Sequence, residues 1–323
     1  MVQKMLWTED AGRRVKLRDL HVFLSAARSG SMAQAAKKLG VSQPTISEAI
    51  ADLEGTFGVK LLDRTSRGVE PTIFGEALMR RAVAAFDELK QGSLDIAFLA
   101  DSGQGELRIG FQESLSPALV APLIRLFARR YPRVALQMDN LPSADLQIFE
   151  LRARRYDFTL ALLATPILEE SDLLAEVLFH DHLAIAASAT SVWASRRKIG
   201  LAELADSPWV LAPPETLNTN QLVEAFKKIG LAMPKATIVT ISEPLRMLTL
   251  TNGDYVSAFT HSALRVSAQR YNIKTLPIEL PTRPCPIALV RLKNRTLTPA
   301  AERFIACARE VGESIARNKP IEV

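Results

Sequence analysis

At 323 residues, of which 48% are hydrophobic and 23% charged, the chain is long enough for about two domains and too long for one small module. A net charge of +5 with a pI near 9.3 suggests a basic region grafted on a near-neutral body. The apolar run from Phe158 to Leu168 is far too short to span a bilayer, the start MVQKMLWTEDAGRRVK lacks a secretion signal's apolar core, and Cys285 and Cys307 form no C-x-x-C pair, so a cytoplasmic protein without membrane contact, disulfide framework or cysteine zinc site is expected.

After an N-terminal extension over 1–16, Leu17, Leu20, Phe23, Leu24 and Ala27 supply one helix. Two more follow in SMAQAAKKLGVSQPTISEAIADLE, joined by a break too short for anything but a sharp turn. In the first, Ser31 is the N-cap, Gln34 three residues on gives a capping-box signature, and Met32, Ala35, Ala36 and Leu39 recur at helical spacing before Gly40 stops it. In the second, Ser42 caps, Pro44 fits the first turn, and Ile46, Ala49, Ile50 and Leu53 form one apolar stripe. Gln43, Thr45, Ser47 and Glu48 are left facing outward, and short polar side chains at a helix N-terminus can read base edges in a major groove. An amphipathic hairpin that never meets nucleic acid has the same stripes. The next segment, LLDRTSRGVEPT, is a basic hairpin whose Arg64 and Arg67 suit a wing resting on phosphates, a solvated loop being the alternative. Residues 13–72 hold ten basic against six acidic side chains, an excess that supports DNA without deciding for it.

The order SMAQAAKKLGVSQPTIS, DLE, LLDRTSRGVEPTIFGEAL resembles the N-terminal domain of LysR-type transcriptional regulators over roughly residues 17 to 95. The resemblance implies a winged helix-turn-helix over 17–72 that binds double-stranded promoter DNA, with RNA polymerase as a further partner. This chain departs from the family in carrying Glu48 and Asp52 where relatives commonly have basic side chains. Glu48 is expected to accept from a cytosine amino group, to point along the groove, or to pair with a neighbouring Lys or Arg.

From Thr72 onward Phe74, Leu78, Ala82, Ala85, Leu89, Ile96 and Leu99 recur at three and four, predicting one helix of about 27 residues, roughly 40 Å long, ending near Asp101. Gly92 and Ser93 allow a kink instead. The resemblance implies that this linker, 73–104 with its Gly-containing joint, dimerises, with Phe74, Leu78, Ala85 and Leu89 in the interface of a homodimer or homotetramer.

Beyond Gly105 strands and helices alternate: Leu107 to Phe111, Pro117 to Arg130, Val134 to Met138, Ala144 to Ala153 and Phe158 to Leu163, the signature of an α/β domain with a parallel sheet. A second set runs from His182 to Thr260, and Ile287 to Arg291 with a helix opened by Thr298 and Pro299 completes the chain. The resemblance implies a periplasmic-binding-protein-like effector domain over 105–323, with one lobe of 105–165 and 284–323, another of 166–283, and crossings near Thr165-Pro166 and Pro281 to Pro286.

A cleft at the carboxyl ends of strands offers helix N-termini to a ligand. In the turn after the first strand the resemblance places effector contacts, with Ser114 the best match, while Ser116 is either a second contact or the N-cap before Pro117. Asn218 and Thr219 open a helix and are contacts or caps; Ser143, Thr260 and His261 are further candidates across the cleft. Glu113 complicates an acidic ligand.

No Gly-rich phosphate loop, G-x-S-x-G elbow or placed acid/base pair supports an enzyme, and His180 and His182 around Asp181 lack further ligands for zinc. The expected function is a DNA-binding transcriptional regulator without cofactor, controlled by an unidentified small-molecule effector. A cytoplasmic solute-binding protein and a nonspecific architectural DNA binder are the alternatives.

Overall fold

A computed structural model describes residues 13–65, 68–100, 104–163, 170–251 and 253–318. The chain divides into two compact units, 1–90 and 91–323. No described helix is long and apolar enough to cross a membrane.

The first unit is three helices and a wing. Helices α1 (Leu17–Ser29), α2 (Met32–Leu39) and α3 (Gln43–Phe57) each end on a left-handed glycine, Gly30, Gly40 and Gly58, with φ of 62°, 66° and 67°. Glycine enters that region without the Cβ clash that other residues meet. Their apolar stripes meet in a core around Phe23, Ile46 and Leu53, all at most 1% exposed. Strands β1 (Leu62–Thr65) and β2 (Gly68–Pro71) pair antiparallel, Leu62 opposite Pro71. Gly68, at φ 136°, lets the Gly30 carbonyl come close enough to accept the Val69 N–H at 2.9 Å; a Cβ there would lie 2.0 Å from that oxygen. Helix α4 (Ile73–Ala100) then runs 28 residues with no break at Gly92 or Ser93.

The second unit is two lobes, each a five-stranded mixed sheet. The first lobe orders β4 (Val134–Asn140), β3 (Gly105–Phe111), β5 (Phe158–Leu162), β12 (Cys285–Leu292) and β6 (Leu173–Asp181). Helices α5 (Ala121–Arg130) and α10 (Pro299–Ala316) cover it, with the Phe304 ring 5.0 Å from Phe127 and 5.2 Å from Phe158; α6 (Ala144–Arg152) follows β4 in the chain. The second lobe orders β11 (Ile273–Thr275), β7 (Leu183–Ser188), β10 (Val256–Thr260), β8 (Trp209–Leu211) and β9 (Ala236–Val239). Its helices are α7 (Leu217–Lys228), α8 (Glu243–Thr251) and α9 (His261–Ser267), and buried Trp209 donates its indole N–H to the Leu204 carbonyl at 2.9 Å.

These sheets correct the expectation of a purely parallel one. In each lobe three strands are parallel, and the strand beside them, β12 in one and β7 in the other, is antiparallel because the chain enters it from the opposite lobe. Strand β6 pairs along β12 from Leu173 opposite Leu292 to Asp181 opposite Cys285, so the first lobe's sheet extends to Asp181. The chain therefore crosses at His182 and not at Thr165-Pro166, a pair that itself lies outside the described residues, as do Arg67, Asp101 to Gly103 and Asn252. At the crossing, buried Asp181 accepts the backbone N–H of His182 at 2.8 Å and bonds both the N–H and the hydroxyl of Ser262 at the start of α9.

Candidate functional site

In the first unit the candidate surface is the N-terminal end of α3. Ser42 accepts the Thr45 N–H at 3.3 Å, and the Ser42 and Thr45 hydroxyls lie 2.8 Å apart. With Ile46, Ala49, Ile50 and Leu53 turned into the core, Ser42, Gln43, Pro44 and Glu48 are exposed while Thr45 and Ser47 are half-buried. Ser31 caps α2 by accepting the Gln34 N–H, and Arg64 stands exposed on β1. Glu48 and Asp52 are exposed and make no ion pair with any described residue, so of the alternatives for Glu48 the pairing with a neighbouring cation is not formed.

A residue quoted only as part of the motif fixes the wing: Glu54, near the end of α3, accepts the Leu61 N–H at 2.9 Å and the Leu62 N–H at 3.4 Å and pairs with Lys60. Burial works against its charge, but Lys60 and the two amides outweigh it and hold the carboxyl below the usual range. Thr72 completes the junction, donating its hydroxyl to the Lys60 carbonyl at 2.7 Å and accepting the Gly75 N–H at 3.0 Å. Along α4, Phe74, Ala85 and Leu89 are exposed, Phe74 and Leu89 by 47% and 53%. Leu78 is half-buried and packs, with Met79, Val83 and Phe86, on the core of its own domain, so it is not part of that free face.

The second candidate is a cavity of about 150 Å³ between the lobes of the second unit. Gln112, Glu113, Ser114, Asn140 and Ser143 line it from the first lobe, and Glu215, Thr216, Asn218, Asn220, Glu243 and Arg246 from the second. They converge because β3 and β4 end together, Phe111 opposite Asn140, and because α7 and α8 begin at the facing edge of the other sheet. The Gln112 side-chain carbonyl is held by the Leu162 N–H at 2.8 Å, and Asn218 is a buried residue of the cavity wall.

Four candidates fall elsewhere. Ser143 reaches the cavity but also caps α6, accepting the Leu146 N–H at 3.2 Å. Thr219 is turned away, its hydroxyl donating to the Ala212 carbonyl at 3.0 Å. Thr260 is 2% exposed, and His261 is exposed with its N–H given to the His182 carbonyl at 2.7 Å; neither lines the cavity. Ser116 opens a wide turn before α5, where one regular helix had been expected, and faces a separate cavity of about 400 Å³ beside Arg125 and Arg270. His180 and His182 are both exposed, and no group of side chains among the described residues is arranged to hold a metal.

Sequence reasoning missed Glu243 and Arg246, each 3% exposed. The signal was an Arg three residues after a Glu inside the otherwise apolar Pro-Leu-Arg-Met-Leu-Thr-Leu stretch, a charge pair on a helix face that must be buried. Arg246 donates Nη1 to the Ala258 carbonyl at 2.8 Å, lies 4.7 Å from the Phe259 ring centroid, and approaches Glu243 Oε2 through Nη2 at 3.5 Å. Glu243 Oε2 and Arg246 Nε have no hydrogen-bond partner. At that separation the pair does not offset its own desolvation. Burial pushes the Glu243 carboxyl up to about 7, with Arg246 opposing and Glu113 reinforcing, and lowers the Arg246 guanidinium. The two lobes touch here, the Glu243 backbone N–H lying 3.4 Å from Glu113 Oε2.

Known proteins match both units. Residues 17–76 match the model of the bacterial regulatory helix-turn-helix protein, lysR family, and residues 100–313 that of the LysR substrate binding domain. The transcriptional regulator GbpR of Azospirillum brasilense is 24% identical over 304 residues, covering 94% of this chain and 89% of its own. A full-length OxyR variant from Pseudomonas aeruginosa superposes with a TM-score of 0.66 at 22% identity, covering 96% of this chain and 99% of that one. Full-length CbnR in complex with its target DNA superposes with a TM-score of 0.53 at 23% identity, covering 92% and 100%. With both of its segments matched, the chain belongs to the LysR family of bacterial regulatory helix-turn-helix proteins and carries that family's substrate binding domain.

Proposed function

We propose that this regulator reads promoter DNA with the exposed N-terminal end of α3, Ser42 to Glu48, while Arg64 on the wing contacts phosphate, and that a small effector bound between the lobes changes how it acts on that DNA. The observation that carries this is the presence on one chain of a capped, outward-facing helix over a packed three-helix core and of a polar interlobe cavity. CbnR, whose fold the chain shares, is known with its target DNA bound, which supports the same use of α3 here. Gln43 is the best placed to pair with a base edge, since its side chain is exposed and free of the cap that engages Thr45. Assembly as a homodimer through the exposed α4 face of Phe74, Ala85 and Leu89, in the cytoplasm, belongs to the same proposal.

The effector contacts proposed are Ser114, Asn140 and Asn218, with Ser143 at the edge. A cavity of about 150 Å³ is of the size that accepts benzene, so the ligand has about six non-hydrogen atoms at the observed opening of the lobes. A thermal-shift screen of small metabolites against the full chain tests this, because a ligand that binds only the folded form raises its stability. The hits should lose their shift in Asn218→Ala and Ser114→Ala; hits indifferent to both substitutions would move the effector site elsewhere.

A further inference from the structure

We propose that the interlobe cavity is built for a ligand carrying a protonated nitrogen, seated between the Glu113 carboxylate of the first lobe and the Glu243 carboxylate of the second. The proposal rests on the effector role of the cleft given above and names the ligand's chemistry. Three observations carry it. The cavity is lined by three carboxylates, Glu113, Glu215 and Glu243, against the single guanidinium of Arg246. That guanidinium gives Nη1 to the Ala258 carbonyl, lies over the Phe259 ring and turns Nη2 toward Glu243 Oε2 at 3.5 Å, so its one positive charge is set against a carboxyl of the same wall and two acidic side chains remain in excess. Glu243, a residue of the cavity lining, is 3% exposed and its Oε2 has no hydrogen-bond partner, Arg246 Nη2 standing 3.5 Å away, so its carboxyl group retains acceptor capacity for an ammonium donor.

The same placement gives the ligand a grip on both lobes. Glu113 and Glu243 approach where the Glu243 N–H meets Glu113 Oε2, so a cation held by both side chains bridges the two lobes. Ser114, Asn140 and Asn218 remain for the ligand's other polar groups.

A proton should move as well. Burial leaves Glu243 partly protonated near neutrality, and a cation beside it favours the carboxylate, so binding releases a proton to solvent. The charged groups around Glu243 are Glu113 and Glu215 across the cavity, Arg246 on its own helix, and Arg125 and Arg270 lining the neighbouring cavity that Glu243 also borders. Burial and Glu113 hold the proton on, Arg246 draws it off, and the arriving cation tips that balance.

Isothermal titration of the full chain at neutral pH with 1,4-diaminobutane, butane-1,4-diol and butanoate, all of about the size the cavity admits, tests the proposal. Repeating each titration in buffers of different ionisation enthalpy counts the protons released. The diamine should bind with release of a fraction of a proton. Glu243→Gln should weaken it tenfold or more and abolish the release, and Glu113→Gln should weaken it as well, so the test does not hang on the folding of one variant. Butanoate binding in preference to the diamine, or diamine binding that Glu243→Gln leaves intact, overturns the cationic ligand; if the bound compound is then lost in Asn218→Ala, the cleft survives as the effector site and only its charge selection fails. Silence from all three compounds overturns the cationic ligand too, and leaves the cleft to be judged by the metabolite screen.

Discussion

Replacing Glu54 with alanine should loosen the wing without unfolding the recognition helix that carries it. The carboxylate is the acceptor for the Leu61 N–H at 2.9 Å and a marginal one for the Leu62 N–H at 3.4 Å, and both residues are buried where the chain leaves α3 for β1. A hydrogen bond to a charged acceptor contributes about 1.5–3 kcal/mol, and leaving a buried N–H unpaired costs a similar amount. The Lys60 pair adds little, because the Lys60 side chain is 77% exposed. The net loss is therefore about 3 kcal/mol, borne by residues 58–72. Hydrogen exchange is the suitable assay, since it reports local opening: the Leu61 and Leu62 amides should exchange about a hundredfold faster in Glu54→Ala, while the α3 amides stay protected. Because the carboxyl is held below its ordinary 4.5, its contribution is present above that pH and is lost as pH falls through the lower folded value, so wild type should approach the variant in acid. Equal exchange rates at neutral pH would show that the wing is held by Thr72 and the β-ladder alone.

Two further expectations address other parts of the chain. Leu89→Asp places a charge on the exposed α4 face proposed as the dimer contact, and sedimentation should then find monomers with weak DNA affinity; a dimer with unchanged affinity would put the interface elsewhere. Glu243 has its carboxyl raised from 4.5 to about 7, so the folded state keeps its proton longer than the unfolded chain, and the second unit should lose stability as pH climbs between those values and no further above them. The loss is about 3 kcal/mol. Glu243→Gln should flatten it when urea midpoints are compared between about pH 5 and about pH 8, and an unchanged slope would assign the titration to another group.

What could be read in the sequence was local. The α1–α3 stripes, the Ser31 and Ser42 caps, the stop at Gly40 and the long α4, for which a kink at Gly92 was the alternative, all follow from residues within a few positions of one another, and the structure has them at those places. What could not be read depended on distant parts of the chain. The antiparallel course of β12 follows from arriving out of the other lobe more than a hundred residues after β5, and edge strand β6 alternates too weakly, with only its ends and Phe179 buried, to announce itself. The ligand candidates divided in the same way. Ser114 reached the cavity because its turn is fixed by the adjacent end of β3, whereas Thr260 looked like a cleft residue by chain position and is a buried end of β10. Glu243 and Arg246 gain their meaning only from Glu113, 130 positions away.

The central claim, that α3 reads sequence while the wing supplies affinity, is tested most directly by measuring target and random DNA binding of the full chain for Gln43→Ala and Arg64→Ala over a range of salt. Gln43→Ala should narrow the target-to-random ratio by about 1–3 kcal/mol and leave the salt slope alone. Arg64→Ala should weaken both DNAs alike and reduce the slope by about one ion. A target-to-random ratio unchanged in Gln43→Ala, or changed only by Arg64→Ala, would contradict it.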